Sequence, residues 1–91
     1  MFSSKETKLI TQDYFKLIRV TEDYYEIQSR NTGHFWIIKN THGEYSRYII
    51  LYHKHSENTA YYHKHLKVPN VITAVNQIKS HDEYVLAQQV C

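Results

Sequence analysis

Two copies of the tetrapeptide YHKH, at residues 52–55 and 62–65, hold four of the seven histidines in this 91-residue chain. Imidazole side chains bind transition metals and transfer protons near neutral pH. The tyrosines and lysines that alternate with them can stack on nucleobases and neutralise phosphates. The repeat is therefore compatible with a metal site, a site for acid–base catalysis or a nucleic-acid surface. The fourth alternative is a pair of strands with a purely structural role.

Strand geometry assigns these side chains to opposite faces of a hairpin, because alternate residues of a strand point the same way. The symmetric loop between the repeats predicts a register in which His55 pairs with His63 and His53 pairs with His65. One face then holds His53, His55, His63 and His65, and the other holds Tyr52, Lys54, Tyr62 and Lys64. A one-residue slip on one strand would separate the histidines.

Metal binding is the first alternative for the histidine face. Two His-x-His strands can supply four nitrogen ligands to a tetrahedral zinc ion. Natural zinc sites usually add a thiolate or a carboxylate, and the only acid nearby is Glu57 in the predicted loop. We therefore expect no cofactor and no resident metal, and His53, His55, His63 and His65 are metal ligands only as an alternative.

Acid–base catalysis is the second alternative for the same face. Histidines that act as general acid and base can cleave RNA without a metal. The sequence has no carboxylate clearly placed to orient an imidazole, no glycine-rich phosphate loop and no nucleophile elbow. We leave a metal-independent ribonuclease open, assign no catalytic residue and favour a non-enzymatic role.

The tyrosine and lysine face predicts a surface for single-stranded nucleic acid. Residues 27–81 hold seven Lys/Arg and two acids, a net charge of +5, whereas residues 1–26 carry −1 and residues 82–91 carry −2. A basic, aromatic sheet surface suits an anionic partner. The candidate contacts are Tyr52, Lys54, Tyr62, Lys64, Arg47, Lys39, Arg30 and Trp36.

A protein partner is the broader alternative to nucleic acid. Histidine and tyrosine often pack at a sheet edge or under a helix, so the repeat can be structural. An exposed Trp36 or a row of tyrosines would serve a protein as well as a base. If a histidine-bearing strand lies at the sheet edge, edge-to-edge pairing predicts a homodimer.

The remaining sequence predicts the elements that position this hairpin. Alternating apolar and polar residues from Phe15 onward predict an antiparallel meander of four or five strands, with residues 31–33 (NTG) as a hairpin loop. From Pro69 onward the apolar spacing is helical, with Asn70 as the N-cap and a bend or restart near Ser80. Ser3 and Glu6 have the capping-box spacing of a short N-terminal helix.

We therefore predict one α+β domain over residues 1–91, with the C-terminal helix packed on one face of the sheet. If that helix covers the histidine face, the four histidines become core residues. The lone cysteine, Cys91, and the absence of a signal peptide or an apolar run of about 18 residues predict a reduced, cytoplasmic protein without membrane contact. The predicted core includes Leu17, Ile27, Ile37, Leu51, Val75, Ile78 and Leu86.

Overall fold

A computed structural model, which describes residues 2–44 and 46–89, contains one five-stranded antiparallel sheet. The strands are β1 (Phe15–Val20), β2 (Tyr24–Ser29), β3 (Phe35–His42), β4 (Arg47–Lys54) and β5 (His63–Val68). Each strand pairs with the next along the chain, so β1 and β5 form the two edges. Helix α1 (Ser4–Ile10) precedes the sheet and helix α2 (Val71–Gln89) follows it, which confirms the predicted α+β class. Cys91 lies outside the described residues.

Local hydrogen bonds explain where both helices begin. The Ser3 hydroxyl accepts from the Glu6 N–H at 3.2 Å, and the Glu6 carboxylate accepts from the Ser3 N–H at 2.8 Å, which is the predicted capping box. The Asn70 side chain accepts from the Thr73 N–H at 2.9 Å and caps α2. The predicted restart near Ser80 does not occur, because α2 is one continuous helix over Val71–Gln89.

Gly33, with φ of +78°, closes the β2–β3 loop in the left-handed conformation that glycine tolerates.

Both helices pack on the same face of the sheet, which we call the covered face. The buried apolar residues of the covered face and the helices form one cluster: Ile10, Phe15, Tyr25, Ile27, Trp36, Ile38, Ile49, Leu51, Val68, Val71, Ala74, Val75 and Ile78. The other side of the sheet, which neither helix covers, is called the open face.

Four predicted core residues are buried, and three are not. Ile27, Leu51, Val75 and Ile78 are all within the core cluster. Leu17 points to the covered side, opposite Ile27, but is 44% exposed because β1 is an edge strand. The remaining two, Ile37 on the open face and Leu86 near the end of α2, are half-buried. Neither described helix is long and apolar enough to cross a membrane.

Candidate functional site

The β4–β5 hairpin contains an irregularity that changes the predicted register. His53 lies opposite His63, and the pairing shifts next to Leu51, which lies opposite Leu66. The predicted pairing of His53 with His65 is therefore wrong. The shift places His65 as the extra residue of a bulge on β5, and such an insertion bends and twists the strand locally. His65 stays on the covered side, where its ring centroid is 5.6 Å from that of His53.

Six imidazoles meet at one end of the covered face, two more than the sequence predicted. His34, just before β3, and His81, in α2, join the four histidines of the hairpin. His53 is central, because the ring centroids of the other five lie 4.7–5.6 Å from its own. We call this group the histidine cluster: His34, His53, His55, His63, His65 and His81.

The histidine cluster extends from a buried floor to an exposed rim. Helix α2 does cover this face, but among the six histidines only His53, at 2%, and His34, at 9%, are almost fully buried. Trp36, with no exposed surface, stacks beneath His53 with ring centroids 4.1 Å apart. His81 is half-buried, whereas the remaining three, His55, His63 and His65, are exposed. Covering by the helix therefore does not turn the whole group into core.

Burial holds the inner imidazoles in their neutral form. The Nδ1 of His34 and the Nε2 of His53 are hydrogen-bonded at 3.0 Å. Burial first, and then the neighbouring imidazoles, lower the pKa of His53 to about 3. Burial also lowers the pKa of His34, His65 and His81. Neutral imidazole is the form that binds metals and accepts protons.

A buried carboxylate, Asp82, lies beside the inner end of the histidine cluster. Its oxygens accept hydrogen bonds from the Tyr14 hydroxyl at 2.6 Å and from the Thr32 hydroxyl at 3.1 Å. Burial, and then the hydrogen bond to Asp82, raise the pKa of Tyr14 to about 12. The negative charge of Asp82 opposes the lowered pKa values of His34 and His81. No ion pair involves Asp82 within residues 2–44 and 46–89.

The sequence interpretation missed three residues of this region. Asp82 lies four residues after Ile78, on the buried stripe of α2, and a carboxylate at such a position is a detectable signal. His81 lies beside the same stripe of α2, so its position also indicated a polar side chain facing the sheet. No pattern marked His34, because its position depends on how the β2–β3 loop places it against β4.

Two sets of three histidines have nitrogen atoms close enough together to bind one ion. In each set the ligand atoms lie within 4.8 Å of one another. The inner triad is His34, His53 and His81, and the outer triad is His53, His63 and His65. Three imidazoles and an open position are the donor set of many catalytic zinc sites. The four histidines predicted as alternative ligands do not form one set, because His55 belongs to neither triad.

The open face carries five of the eight predicted nucleic-acid contacts. Tyr52 lies opposite Ile37 on β3 and opposite Lys64 on β5. Lys39 and Lys54 lie on the same side as Tyr52 in the alternation of their strands. Tyr62 reaches the same surface, where its hydroxyl donates to Glu26 Oε2 at 2.9 Å and its ring centroid lies 4.9 Å from Lys54 Nζ.

The other three predicted contacts lie elsewhere and need correction. Trp36 is buried on the covered face and cannot stack on a base. Arg47 also points to the covered side, where it pairs with Glu6 at 2.8 Å. Arg30 is exposed in the turn after β2, where its N–H donates to the Tyr14 carbonyl at 3.2 Å. Alternation along β3 explains the error, because Trp36 and Lys39 point to opposite faces.

The charge of the open face is strongly positive. The register places six cationic side chains there: Lys16, Arg19, Lys39, Lys54, Lys64 and Lys67. Among the described strand residues of this face, the opposing carboxylate is Glu26. Lys67 Nζ lies 4.3 Å from the ring centroid of Tyr48. A shallow depression of about 510 Å³ is lined by Asp23, Tyr24, Ile37, Lys39, Tyr52 and Tyr62.

Comparison with protein-family models, with curated proteins and with solved structures finds no match to this chain.

Proposed function

We propose that the protein is a small non-enzymatic module that binds single-stranded nucleic acid on its open face. One observation carries the proposal: a sheet surface that neither described helix covers has six Lys/Arg against two carboxylates, Glu26 on β2 and Asp23 in the turn before it. Lys and Arg neutralise phosphates and release condensed counterions, which supplies most of the affinity in such complexes.

The aromatic side chains of this surface favour unpaired bases over a duplex. Tyr24, Tyr52 and Tyr62 line the central depression, with Lys39 beside them. Bases of a single strand are free to stack on such rings, whereas duplex bases already stack on one another. A depression lined by three tyrosines, with Lys39 and Asp23 beside them, is therefore suited to one or a few bases of a single strand.

Two lysines lie over aromatic rings of the open face in the protein alone. Lys54 Nζ is 5.0 Å from the ring centroid of Phe35, and Lys67 contacts Tyr48 in the same way. Such contacts are worth only about 0.5–1 kcal/mol at exposed sites. A phosphate competes readily for these ammonium groups, and the rings become available to bases.

Fluorescence anisotropy with a labelled single-stranded oligonucleotide tests this proposal. We expect a Kd that rises steeply between about 50 and 200 mM salt. The double charge reversal Lys54→Glu and Lys64→Glu should weaken binding at least about tenfold. The matched control is Lys5→Glu with Lys8→Glu on the exposed surface of α1, which makes the same charge change away from the open face.

Two results would contradict the nucleic-acid proposal. One is no binding at about 50 mM salt, and the other is an equal loss of affinity in the α1 control. A labelled single-stranded RNA, incubated with the protein without metal, also tests the alternative of a ribonuclease, since cleavage of the RNA would reveal that activity.

A cytoplasmic location stays a prediction of the sequence.

A homodimer through a sheet edge is the second candidate. The histidine-bearing β5 is an edge strand, as that hypothesis required, but the opposite edge, β1, exposes the larger apolar side chains. Leu17 is 44% exposed, Ile18 is 43% exposed and Val20 is 51% exposed on this edge strand. An apolar, unpaired edge is a template for pairing with a second copy. Sedimentation should then show a dimer that Ile18→Lys converts to a monomer, and a monomeric wild-type protein at about 100 µM would exclude it.

A further inference from the structure

We propose that the inner triad, His34, His53 and His81, binds one divalent transition-metal ion between the sheet and α2. The triad combines a loop residue, a β4 residue and a helix residue, so the ion would join α2 to the sheet. This site lies on the covered face and does not depend on the proposed nucleic-acid surface.

The three imidazoles of the inner triad already lie close together. The ring centroids are 5.1 Å apart for His34 and His53, 4.7 Å apart for His53 and His81, and 5.7 Å apart for His34 and His81. Their ligand atoms lie within 4.8 Å of one another. Nitrogen ligands about 2.0–2.1 Å from a shared ion require side-chain rotations from this arrangement, and coordination replaces the hydrogen bond between His34 and His53.

The charges around the inner triad favour a cation. Asp82 is fully buried, yet its hydrogen-bond partners, Tyr14 and Thr32, are neutral hydroxyls. No cation pairs with it among the residues that the structure describes. Buried charges are generally paired or coordinate metals. A divalent ion at the triad would supply the missing positive charge next to Asp82.

The state of the imidazole nitrogens also favours a ligand. The Nδ1 of His81 is buried and has no hydrogen-bond partner within the described part of the chain. A buried polar atom without a partner is costly, and coordination would satisfy it.

The inner triad is a better site than the outer triad because of what surrounds it. His63 and His65 are exposed on the edge strand β5, whereas His34 and His53 are almost fully buried and the buried Asp82 follows His81 in α2. Exposed ligands lose more side-chain freedom on binding and gain less from the low dielectric. Within the inner triad His81 is the residue most exposed to solvent.

The all-nitrogen donor set determines the class of metal. Imidazole suits Zn²⁺, Cu²⁺, Ni²⁺ and iron, whereas Mg²⁺ and Ca²⁺ prefer oxygen ligands. Three protein ligands leave a coordination position for water or a small ligand. Zn²⁺ is the probe for affinity, and Co²⁺ is the probe for geometry because its absorption spectrum reports the coordination number.

Calorimetric titration of the full, untagged chain with Zn²⁺ after chelator treatment tests the site. We expect one ion per chain, a Kd below about 10 µM and a melting temperature raised by at least about 5 °C in excess Zn²⁺. His81→Ala and His34→Ala should each weaken binding at least about 100-fold. Asp82→Asn should weaken it about tenfold, because it removes the buried negative charge beside the inner triad.

Two control variants separate this site from non-specific capture by histidine. His42→Ala removes an exposed histidine outside the histidine cluster, and His63→Ala with His65→Ala removes the outer triad. Both should bind within about threefold of the wild-type Kd. The Co²⁺ spectrum should show four- or five-coordination and should be lost in His81→Ala. Far-ultraviolet circular dichroism checks that each variant is folded, and His81→Gln serves if His81→Ala does not fold.

Three results would overturn the proposal. The first is binding weaker than about 100 µM, or of several ions per chain with an octahedral Co²⁺ spectrum, which is adventitious capture. The second is loss of binding in the His63/His65 double variant with retention in His81→Ala. The third is unchanged affinity in folded His34 and His81 variants. Oligonucleotide binding can fail or succeed independently of all three.

Discussion

The two faces of the β4–β5 hairpin contain the same short repeat and yet differ in their chemistry. On the covered face the imidazoles gather around Trp36 and α2, and burial lowers the pKa of His53 and His65. On the open face Lys64 is exposed, and Lys54 Nζ lies over the rings of Phe35 and Tyr62. The repeat thus supplies nitrogen donors to one side and cations to the other, because neighbouring strand residues point in opposite directions.

The difference also concerns stability. The covered face combines ring stacking, buried hydrogen bonds and apolar packing, so a lost side chain there leaves a cavity or an unpaired polar group. The open face is hydrated, and a lost side chain is replaced by water. Substitutions on the two faces should therefore separate folding from binding.

The largest expected effect is that of Trp36→Ala on the covered face. Trp36 is fully buried and stacks on His53, so its removal should lower the free energy of unfolding by about 3–5 kcal/mol. The matched open-face change, Tyr52→Ala, should cost about 1 kcal/mol because Tyr52 is only half-buried. Urea unfolding measures both, and similar losses would contradict the assignment of the two faces.

Acid should destabilise the metal-free protein through the histidine cluster. The pKa of His53 is about 3 in the folded chain and about 6.5 when unfolded, so the unfolded state binds more protons between these values. Its stabilising contribution is complete above pH 6.5 and decreases as the pH falls toward 3. From pH 7.5 to pH 5 we expect a loss of about 2 kcal/mol.

Chemical unfolding across that pH range, with a chelator present, checks this expectation. The imidazoles of His34, His55, His65 and His81 oppose protonation of His53, as does burial. The variant His53→Asn should have a visibly flatter pH dependence than the wild type. If the unfolding free energy of this variant depends on pH as steeply as that of the wild type, other groups cause the acid sensitivity.

A smaller effect is expected for Tyr62→Phe on the open face. The change removes the hydrogen bond from the Tyr62 hydroxyl to Glu26 and keeps the ring beneath Lys54. We expect a loss of about 1 kcal/mol in unfolding free energy, with little change in oligonucleotide affinity. A loss of affinity above about tenfold would show that the hydroxyl itself contacts the ligand.

The smallest effect on stability is expected for Lys39→Gln. The free energy of unfolding should change by no more than about 0.5 kcal/mol, because the Lys39 side chain is exposed. Binding should respond instead, since one phosphate contact fewer reduces the salt slope of log Kd by about 0.7 for a single strand. The slope is measured by anisotropy at several salt concentrations. An unchanged slope would place Lys39 outside the interface.

Much of the fold could be predicted from short-range patterns. The Ser3–Glu6 capping box, the Asn70 cap and the left-handed Gly33 all form as predicted, because each depends on a few adjacent residues. The β2–β3 connection is longer than the predicted three-residue loop, since β2 ends at Ser29 and β3 begins at Phe35. Leu17 was misplaced because its apolar alternation cannot show that β1 is an edge strand. The register of β5 was misplaced for a similar reason, since no local signal marks the extra residue at His65.

The candidate sites were predictable to different extents. The open face follows from alternation alone, so Tyr52, Lys54, Tyr62 and Lys64 lie together there as the sequence indicated. The histidine cluster does not follow from alternation, because His34 and His81 lie far from the repeat along the chain. Only folding brings them beside His53.

By itself the sequence determined the α+β class, the alternation that separates lysine from histidine, and the positive charge of residues 27–81. These properties depend on backbone periodicity and composition, which act locally or over the whole chain. Tertiary structure decided which face meets water, that Trp36 is core, and that His81 and Asp82 join the cluster. Long-range packing makes these choices, because burial depends on which helix meets which strand.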